Sequence, residues 1–533
     1  VTIADLVITG ARVITMDGPP VSAVAVRDGR ICAVGDDVGE HIGRRTQVID
    51  GSGRTVTPGL VDSHQHPVHG VADMRGVDLK GVVDLGELQA RLRAESARLA
   101  RDEWLIGYGL EYNAFLPDWL HRKHIDDAIG DHPAMLTLID AHTALMNTRG
   151  LRQAGITGPV EFADRSEVVV DPDGTPTGEL HETSAVRYGD AAVPALELTE
   201  LARRVADLHR AQNAVGITGA HMLDLAVWPG TDELFEMLDE SGELTVRTLV
   251  APWCLPGTVE DTLEIVQDLR SRPGRMWRTG AVKFFLDGTI DGGSAWLCHP
   301  DSHGAGTVPV WREERAYAEA VQQAVDLGLP CWTHAIGDRA VSFALDTYAA
   351  AGRVAGGRHR IEHVELLQDG DVTRFAELDV VASMQPTHMD WTLPDHTDNW
   401  STRIGEERCG RAWRYRDVLA AGGHVALGSD WPIAGYDPRE IMAGARLRRP
   451  VGEPDRAPVL PEQALTAQQA LAGYTTEAAY GAGEERVSGR IRVGMRADLA
   501  VFDGDPLTCA PQDLPELPVV CTVVDGRIVH EAL

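Results

Sequence analysis

No apolar stretch in these 533 residues approaches the roughly 18 needed to cross a bilayer. Nor does a basic segment precede a hydrophobic run at the start, so neither a signal peptide nor a transmembrane helix is expected. Cysteine is sparse and unpatterned: Cys32, Cys254, Cys298, Cys331, Cys409, Cys509 and Cys521 form no C-x-x-C pair and no framework spacing. In a chain of this length that pattern predicts reduced, mostly buried thiols and a cytoplasmic setting. Positive charge is also short, with 49 Lys and Arg against 80 Asp and Glu, a formal charge of −31. Such a surface repels phosphate backbones and anionic lipid, which excludes nucleic acid and membrane as expected partners and leaves a small molecule. The plain use of the acidity is solubility.

The chain does have material for a large core. Hydrophobic residues make up 44% and charged residues 24%, ordinary values for a globular protein. The two ends look alike. Ala23 to Ile31 reads as two short β-runs joined by Asp28-Gly29, and Val523 to Val529 repeats the device around Asp525-Gly526. With the strand pattern Asp498 to Asp503, these predict a small β-sandwich domain assembled from residues 1–56 and 486–533. Two separate β-caps are the alternative, but an isolated hairpin is marginal in water, which favours a shared sheet.

Between the ends, strand and helix patterns alternate, the signature of βα units and a parallel sheet. Eight strands are expected, at Val56–Asp62, Gly216–His221, Leu244–Val250, Ala281–Leu286, Pro330–His334, Arg360–Val364, Val380–Gln385 and His424–Ser429. Eight point to a closed α/β barrel of the (β/α)8 TIM type over residues 57–485, with functional residues at the strand C-termini. The first crossover is too long for one helix, so an insertion is expected at about 70–198. It holds an amphipathic helix pattern (Leu85, Leu88, Leu92, Leu99) and an aromatic stretch from Trp104 and Tyr108 through Tyr112, Phe115 and Trp119. Those aromatics either pack inside the insertion or form an apolar wall over the site.

The chemistry sits at the predicted strand ends. The run from Pro58 to His66 is an apolar strand closing in His64-Gln65-His66. Residues i and i+2 of a strand share a face, so both imidazoles can reach one metal. A bare His-x-His is weak; its place at a strand end strengthens it. Lys283 lies within Ala281–Phe285, where a lysine is costly unless neutralised or paired. Either it takes up CO2 as a carbamate able to bridge two metals, or it pairs with a carboxylate such as Asp287. His334, His363 and Asp430 each end a different predicted strand. Any one of them alone reads better as a core residue; six such side chains recurring at strand ends do not.

With these residues the chain resembles the amidohydrolase superfamily, within it the branch that includes N-substituted formamide deformylases. The resemblance runs nearly end to end, through PGLVDSHQH, VKFFLDG, THAIGDRA, RIEHVEL, ALGSDWP and GRIRVGMRADLAVFD. It implies His64, His66 and Asp430 as ligands of a first metal, and His334 and His363 as ligands of a second. Lys283, carboxylated, would lie between them. One or two divalent ions, zinc foremost, would activate water, and Asp430 would act as general base and acid. The resemblance implies hydrolysis of an amide-type C–N bond, as in an N-substituted formamide or N-acyl amide, and a homodimer.

Further candidates for substrate contact or ligand support are His142, His221, Asp287, Arg339, Glu362 and His388, each with an ordinary structural alternative. Glu362 and Asp62 read as partners fixing ligand tautomers, and Asp338 as either a site residue or a helix cap. A deaminase of the same superfamily resembles a one-metal pattern with glutamate soon after the fifth-strand histidine. Here His334 is followed by Ala335-Ile336-Gly337-Asp338. A cyclic amide hydrolase is the other enzymatic alternative. A non-enzymatic binding protein fits poorly, because every expected ligand position is filled.

Overall fold

The computed structural model describes residues 2–116, 118–224 and 230–532. Both chain ends enter one five-stranded sheet, in the order Arg12–Val13, Thr55–Pro58, Leu499–Phe502, Val519–Val524, Arg527–Glu531. A second sheet of four strands, within residues 6–50, faces it. Ile8, Val24 and Val26 of the second sheet share a buried core with Val56, Leu499, Val501 and Val523 of the first. The Asp-Gly hairpins form as their sequence dictates: Asp28 and Gly29 have φ of 49° and 71°, Asp525 and Gly526 of 52° and 73°. Positive φ at both central residues matches the twist of the flanking strands.

The expected first strand, Val56–Asp62, is in fact two. Thr55–Pro58 pairs antiparallel with Leu499–Phe502, whereas Leu60–Gln65 pairs parallel with Ile217–Met222. Gly59 is the switch between the sheets. A Cβ there would lie 2.1 Å from Thr218 Oγ1, so only glycine lets the chain pass.

From Leu60 onward, parallel strands form two arcs of a TIM-barrel-like α/β fold. The first arc holds Leu60–Gln65, Ile217–Met222, Arg247–Val250 and Trp277–Thr279. The second holds Trp253–Cys254, Val282–Phe285, Cys331–Ala335, Arg360–His363, Val381–Met384 and His424–Leu427. The third and fourth strands are each broken, with their first halves in one arc and their second halves in the other. At the other seam Gln65 bridges Trp431, His66 N donates to Trp431 O at 2.8 Å, and Asp430 N donates to His64 O at 2.7 Å. Helices cover the outside. Leu198–Asn213 buries Leu201, Val205 and Leu208, and Asp338–Ala351 buries Val341, Ala344, Leu345 and Tyr348. Covered on both faces, the strands are buried almost throughout, polar residues included.

The insertion folds as a mixed six-stranded sheet, which the sequence did not announce. Its order is Glu167–Val170, Pro176–His181, Thr143–Met146, Ala134–Leu138, Leu105–Leu110, Val77–Asp78. The anticipated helix runs Leu85–Ser96 and buries Leu88 and Leu92, while Leu99 packs from beyond its end. The aromatics divide. Trp104 and Phe115 are buried within the insertion, Trp119 is 79% exposed, and Tyr112 lines the cavity described below.

Filling the space at Gly59 tests how firmly the two sheets meet. Gly59→Ala is expected to destabilise the fold by about 1–3 kcal/mol, the usual range for overpacking. Urea unfolding would measure it, and an unchanged midpoint would show that Thr218 yields without cost.

Candidate active site

A cavity of about 810 Å³ opens over the strand C-termini, with His66, Lys283, His334, His363, His388 and Asp430 among its lining. The first strand delivers His64 at its end and His66 one step beyond. Both imidazoles approach one oxygen: His64 Nε2 and His66 Nε2 lie 3.3 and 3.1 Å from Asp430 Oδ1. Asp430 arrives by the segment after the eighth strand, where a Cβ on Gly428 would lie 2.6 Å from His64 N. That close approach requires glycine. Asp62 completes the seam by accepting Ser429 N at 2.9 Å and Ser429 Oγ at 2.6 Å. Asp62 therefore fastens the backbone and touches no imidazole nitrogen, correcting its expected role in tautomer selection.

Glu362 does set a tautomer. His64 Nδ1 donates to Glu362 Oε2 at 2.7 Å, which turns Nε2 toward Asp430. Beneath it Arg360, fully buried, donates to both Glu362 oxygens at 2.9 and 2.8 Å, to Ser63 O at 2.6 Å, to Ser383 Oγ at 2.8 Å and to His221 Nδ1 at 2.7 Å. Its guanidinium also stacks 3.9 Å over the Trp332 ring. Burial favours a protonated Glu362, but Arg360 and His64 hold its carboxyl well below the usual range.

His363 follows Glu362, so regular alternation would turn it away from the interior. Its φ of 75° breaks the alternation and sets its ring 4.8 Å from that of His64 and 4.4 Å from that of His334, centroid to centroid. Asp430 also sits at positive φ, 60°. Donor atoms of His64, His363 and Asp430 all lie within 4.8 Å of one another. His334 ends the fifth strand, with its Nε2 3.2 Å from Gly288 O and its ring stacked on Phe285. Lys283 is buried with Nζ 4.9 Å from the Phe285 centroid. Asp287 does not pair with it. The Asp287 oxygens accept the backbone amides of Trp296, Ile336 and Gly337 at 2.8, 3.0 and 2.8 Å, bracing the turn after His334.

Burial tunes these groups. It lowers His66 to about 4 and takes His334 and His363 well below the ordinary imidazole value, leaving them neutral at pH 7. It lowers Lys283 to about 8, partly offset by Glu362 and Asp430. Burial alone would raise Asp430, but His64, His66 and His363 hold its carboxyl well below the usual range. Neutral imidazoles beside an ionised carboxylate are the state a divalent cation requires. His64 Nε2 and His363 Nδ1, both in the converging set, are buried with no hydrogen-bond partner. A divalent ion would satisfy such nitrogens, and the donor set fits one.

Residues 47–530 match the model of the Amidohydrolase family. The chain belongs to that family. This amidohydrolase is 29% identical to the protein LONG AFTER FAR-RED 3 of Arabidopsis thaliana, over 99% of this chain and 92% of the relative. It is 28% identical to an N-substituted formamide deformylase of Arthrobacter pascens, over 99% of this chain and 98% of the relative. In fold it is similar to a metal-dependent hydrolase of Pyrococcus furiosus, with a TM-score of 0.71 and 24% identity, covering 94% of this chain and all of the other. The amidohydrolase is thus a hydrolase by family.

Of the further candidates, His142 and His388 line the cavity. His388 stands between two carboxylates, its Nε2 3.5 Å from Asp430 Oδ2 and its Nδ1 3.4 Å from Glu365 Oε1. His221 does not reach the cavity; it is buried in the second strand as an acceptor for Arg360. Arg339 lies outside as well, its guanidinium 5.1 and 5.6 Å from the Trp296 and Phe343 rings on the helix after His334. Asp338 opens that helix and accepts Cys298 N at 2.9 Å. Sequence reasoning missed Arg360, Glu182 and Glu365. The signal for Arg360 was present, since an arginine two residues before Glu362 on one strand shares its face.

Removing the guanidinium would strand a buried carboxylate. Arg360→Met is expected to cost about 3–5 kcal/mol, as for a broken buried pair. Metal content should fall with it, because His64 loses its fixed orientation. Urea unfolding and metal analysis check both, and native values for both would show that Glu362 needs no counter-charge.

Proposed function

We propose that this amidohydrolase cleaves the C–N bond of a small amide, an N-substituted formamide or related N-acyl amide. The observation that carries the reading is the convergence of His64, His363 and Asp430 donors within 4.8 Å, where His363 and Asp430 line a cavity of about 810 Å³. The deformylase activity named for the Arthrobacter pascens relative, which matches along nearly the whole chain, supports the choice of bond. We read the two strand arcs as one closed (β/α)8 barrel over residues 57–485, the site at its C-terminal rim.

His64, His66 and Asp430 would hold one divalent ion, zinc foremost, and His334 and His363 a second, with Lys283 as a carbamate between them. Bound there, such an ion makes water acidic and polarises a carbonyl. The chain supplies the proton path. Asp430, ionised and close to two imidazoles, accepts the proton released by attacking water and returns it to the leaving nitrogen. Neutral His66, His334 and His363 add no positive charge to compete for that proton. Met135, Ile139, Val186, Val193 and Trp253 give the cavity an apolar side suited to a hydrocarbon N-substituent. Deamination is disfavoured by the turn after His334, which carries no glutamate and whose amides at Ile336 and Gly337 are held by Asp287.

Metal-replete protein screened against N-substituted formamides, larger N-acyl amides, cyclic amides and aminated heterocycles would test the reading. Release of amine and acid from open-chain amides is expected. Turnover confined to heterocycles or cyclic amides would replace it. Asp430→Asn should keep the fold and lose at least about a hundredfold in kcat, the scale of a lost general acid–base group; near-native turnover would remove Asp430 from the proton path. Lys283→Ala should lower bound metal toward one ion per chain or none, and an unchanged stoichiometry of two would rule out a bridging lysine.

A further inference from the structure

Above the metal-ligand candidates, the insertion presents a polar pair that the scheme so far does not use. His142 Nδ1 donates to Glu182 Oε2 at 2.9 Å, and Glu182 N donates to His142 O at 2.7 Å. The pair is thus tied through both side chains and backbone. His142 leads into the strand Thr143–Met146 and Glu182 follows Pro176–His181, strands paired antiparallel at Thr143 and His181. Asp140 supports the loop, with Oδ1 accepting His142 N at 3.1 Å and Oδ2 accepting the Tyr112 hydroxyl at 3.0 Å. Two non-glycine residues here take left-handed backbone, Ala141 at φ 55° and Glu182 at φ 68°. Such strain persists only where surrounding contacts enforce it.

The orientation that results is specific. Against burial, Glu182 at 2.9 Å, with Asp140 beside it, favours the imidazolium, so after Nδ1–H is given to Glu182 the ring still has Nε2–H for the cavity that it lines. Its ring lies 5.4 Å from that of His334, whereas Asp430 lies against His64 and His66. A scissile amide seated over the ligand cluster would meet the anionic Asp430 where His64 and His66 gather and His142 where His334 stands. In amide hydrolysis the atom that gains negative charge is the carbonyl oxygen, which a carboxylate repels and a carboxylate-backed imidazole attracts.

We propose that His142 is a catalytic residue whose Nε2–H hydrogen-bonds the scissile carbonyl oxygen as it becomes an oxyanion, with Glu182 as its positioning residue. The inference rests on the hydrolase reading and extends it: the insertion is part of the reacting site as well as a cover.

The test uses full-length, metal-replete protein and an amide found active in the panel above. His142→Gln and His142→Ala should lower kcat at least about a hundredfold, the effect of losing one oxyanion donor. KM should stay within about threefold, because the contact strengthens only in the transition state. Metal content and thermal midpoint should match the native protein. Glu182→Ala should lower kcat about tenfold and Glu182→Gln should recover part of it, since an amide oxygen still accepts from Nδ1–H. Independently of turnover, calorimetry with formate should show binding about tenfold or more weaker in His142→Gln, the scale of a hydrogen bond to a charged group. A kcat within threefold of native in His142→Gln, a loss of metal in that variant, or formate binding that is equal or absent in both proteins overturns the proposal. Should the native protein turn over no amide while formate binding still depends on His142, the hydrolase reading fails and the oxyanion contact stands.

Discussion

The site hangs on a buried ion pair that touches no substrate. Arg360 and Glu362, two residues apart on one strand and both fully buried, share two hydrogen bonds in the middle of the parallel strands. Layers of branched apolar side chains ordinarily fill such an interior. A charged pair in that position is expensive unless each remaining donor and acceptor is met. Here they are met, and by several strands at once: Ser63 on the first, His221 on the second and Ser383 on the seventh. The last acceptor of Glu362 is spent on His64 Nδ1. The strand register and the direction of the His64 imidazole are thereby set by one network, so neither can shift without the other.

The strand-end candidates, unlike this network, were legible in the sequence, because their signals are local. An apolar strand that ends in a polar, metal-competent side chain reads clearly at His64-Gln65-His66, His334, His363 and Asp430. What failed to read was whatever depends on a neighbour far away in the chain. Gly59 looked like the interior of one strand because the collision that splits it involves Thr218. His221 lies at a strand end like the ligand candidates, yet its ring accepts from Arg360 beneath the site. Arg339 follows His334 closely, but one helical turn carries it outward onto Trp296. The insertion sheet was invisible for another reason. Only its last two strands exchange places, but its apolar runs are six residues or fewer, too short to distinguish strand from helix.

The backbone breaks its usual rules where the chemistry gathers. His363, Val364, Asp430 and Glu182 all have φ between 48° and 75°, where side chains with a Cβ are uncommon. At His363 the consequence is visible, since without the break the ring would face away from His64. Positive φ at Asp430 accompanies the tight passage at Gly428 against His64. Local strain of this kind survives when the rest of the fold over-determines it, and here the Asp62–Ser429 and Arg360–Glu362 contacts do so.

This division of labour explains why the groups over the site come from a different part of the chain. The ligand candidates stand on parallel strands held on both sides, where a small displacement would cost several hydrogen bonds. The wall above them comes from the insertion, through Tyr112, Asp140, His142 and Val186, and from the segment after the seventh strand, through His388 and Trp391. Loops at the C-terminal rim can change length and sequence without disturbing strand register. A first crossover grown into a six-stranded sheet takes that freedom and makes it rigid again, since His142 and Glu182 are joined across paired strands. A lid built from flexible loop would close over a substrate; one built from a sheet arrives with its polar groups already aimed, and the ordering cost is met during folding rather than at each turnover.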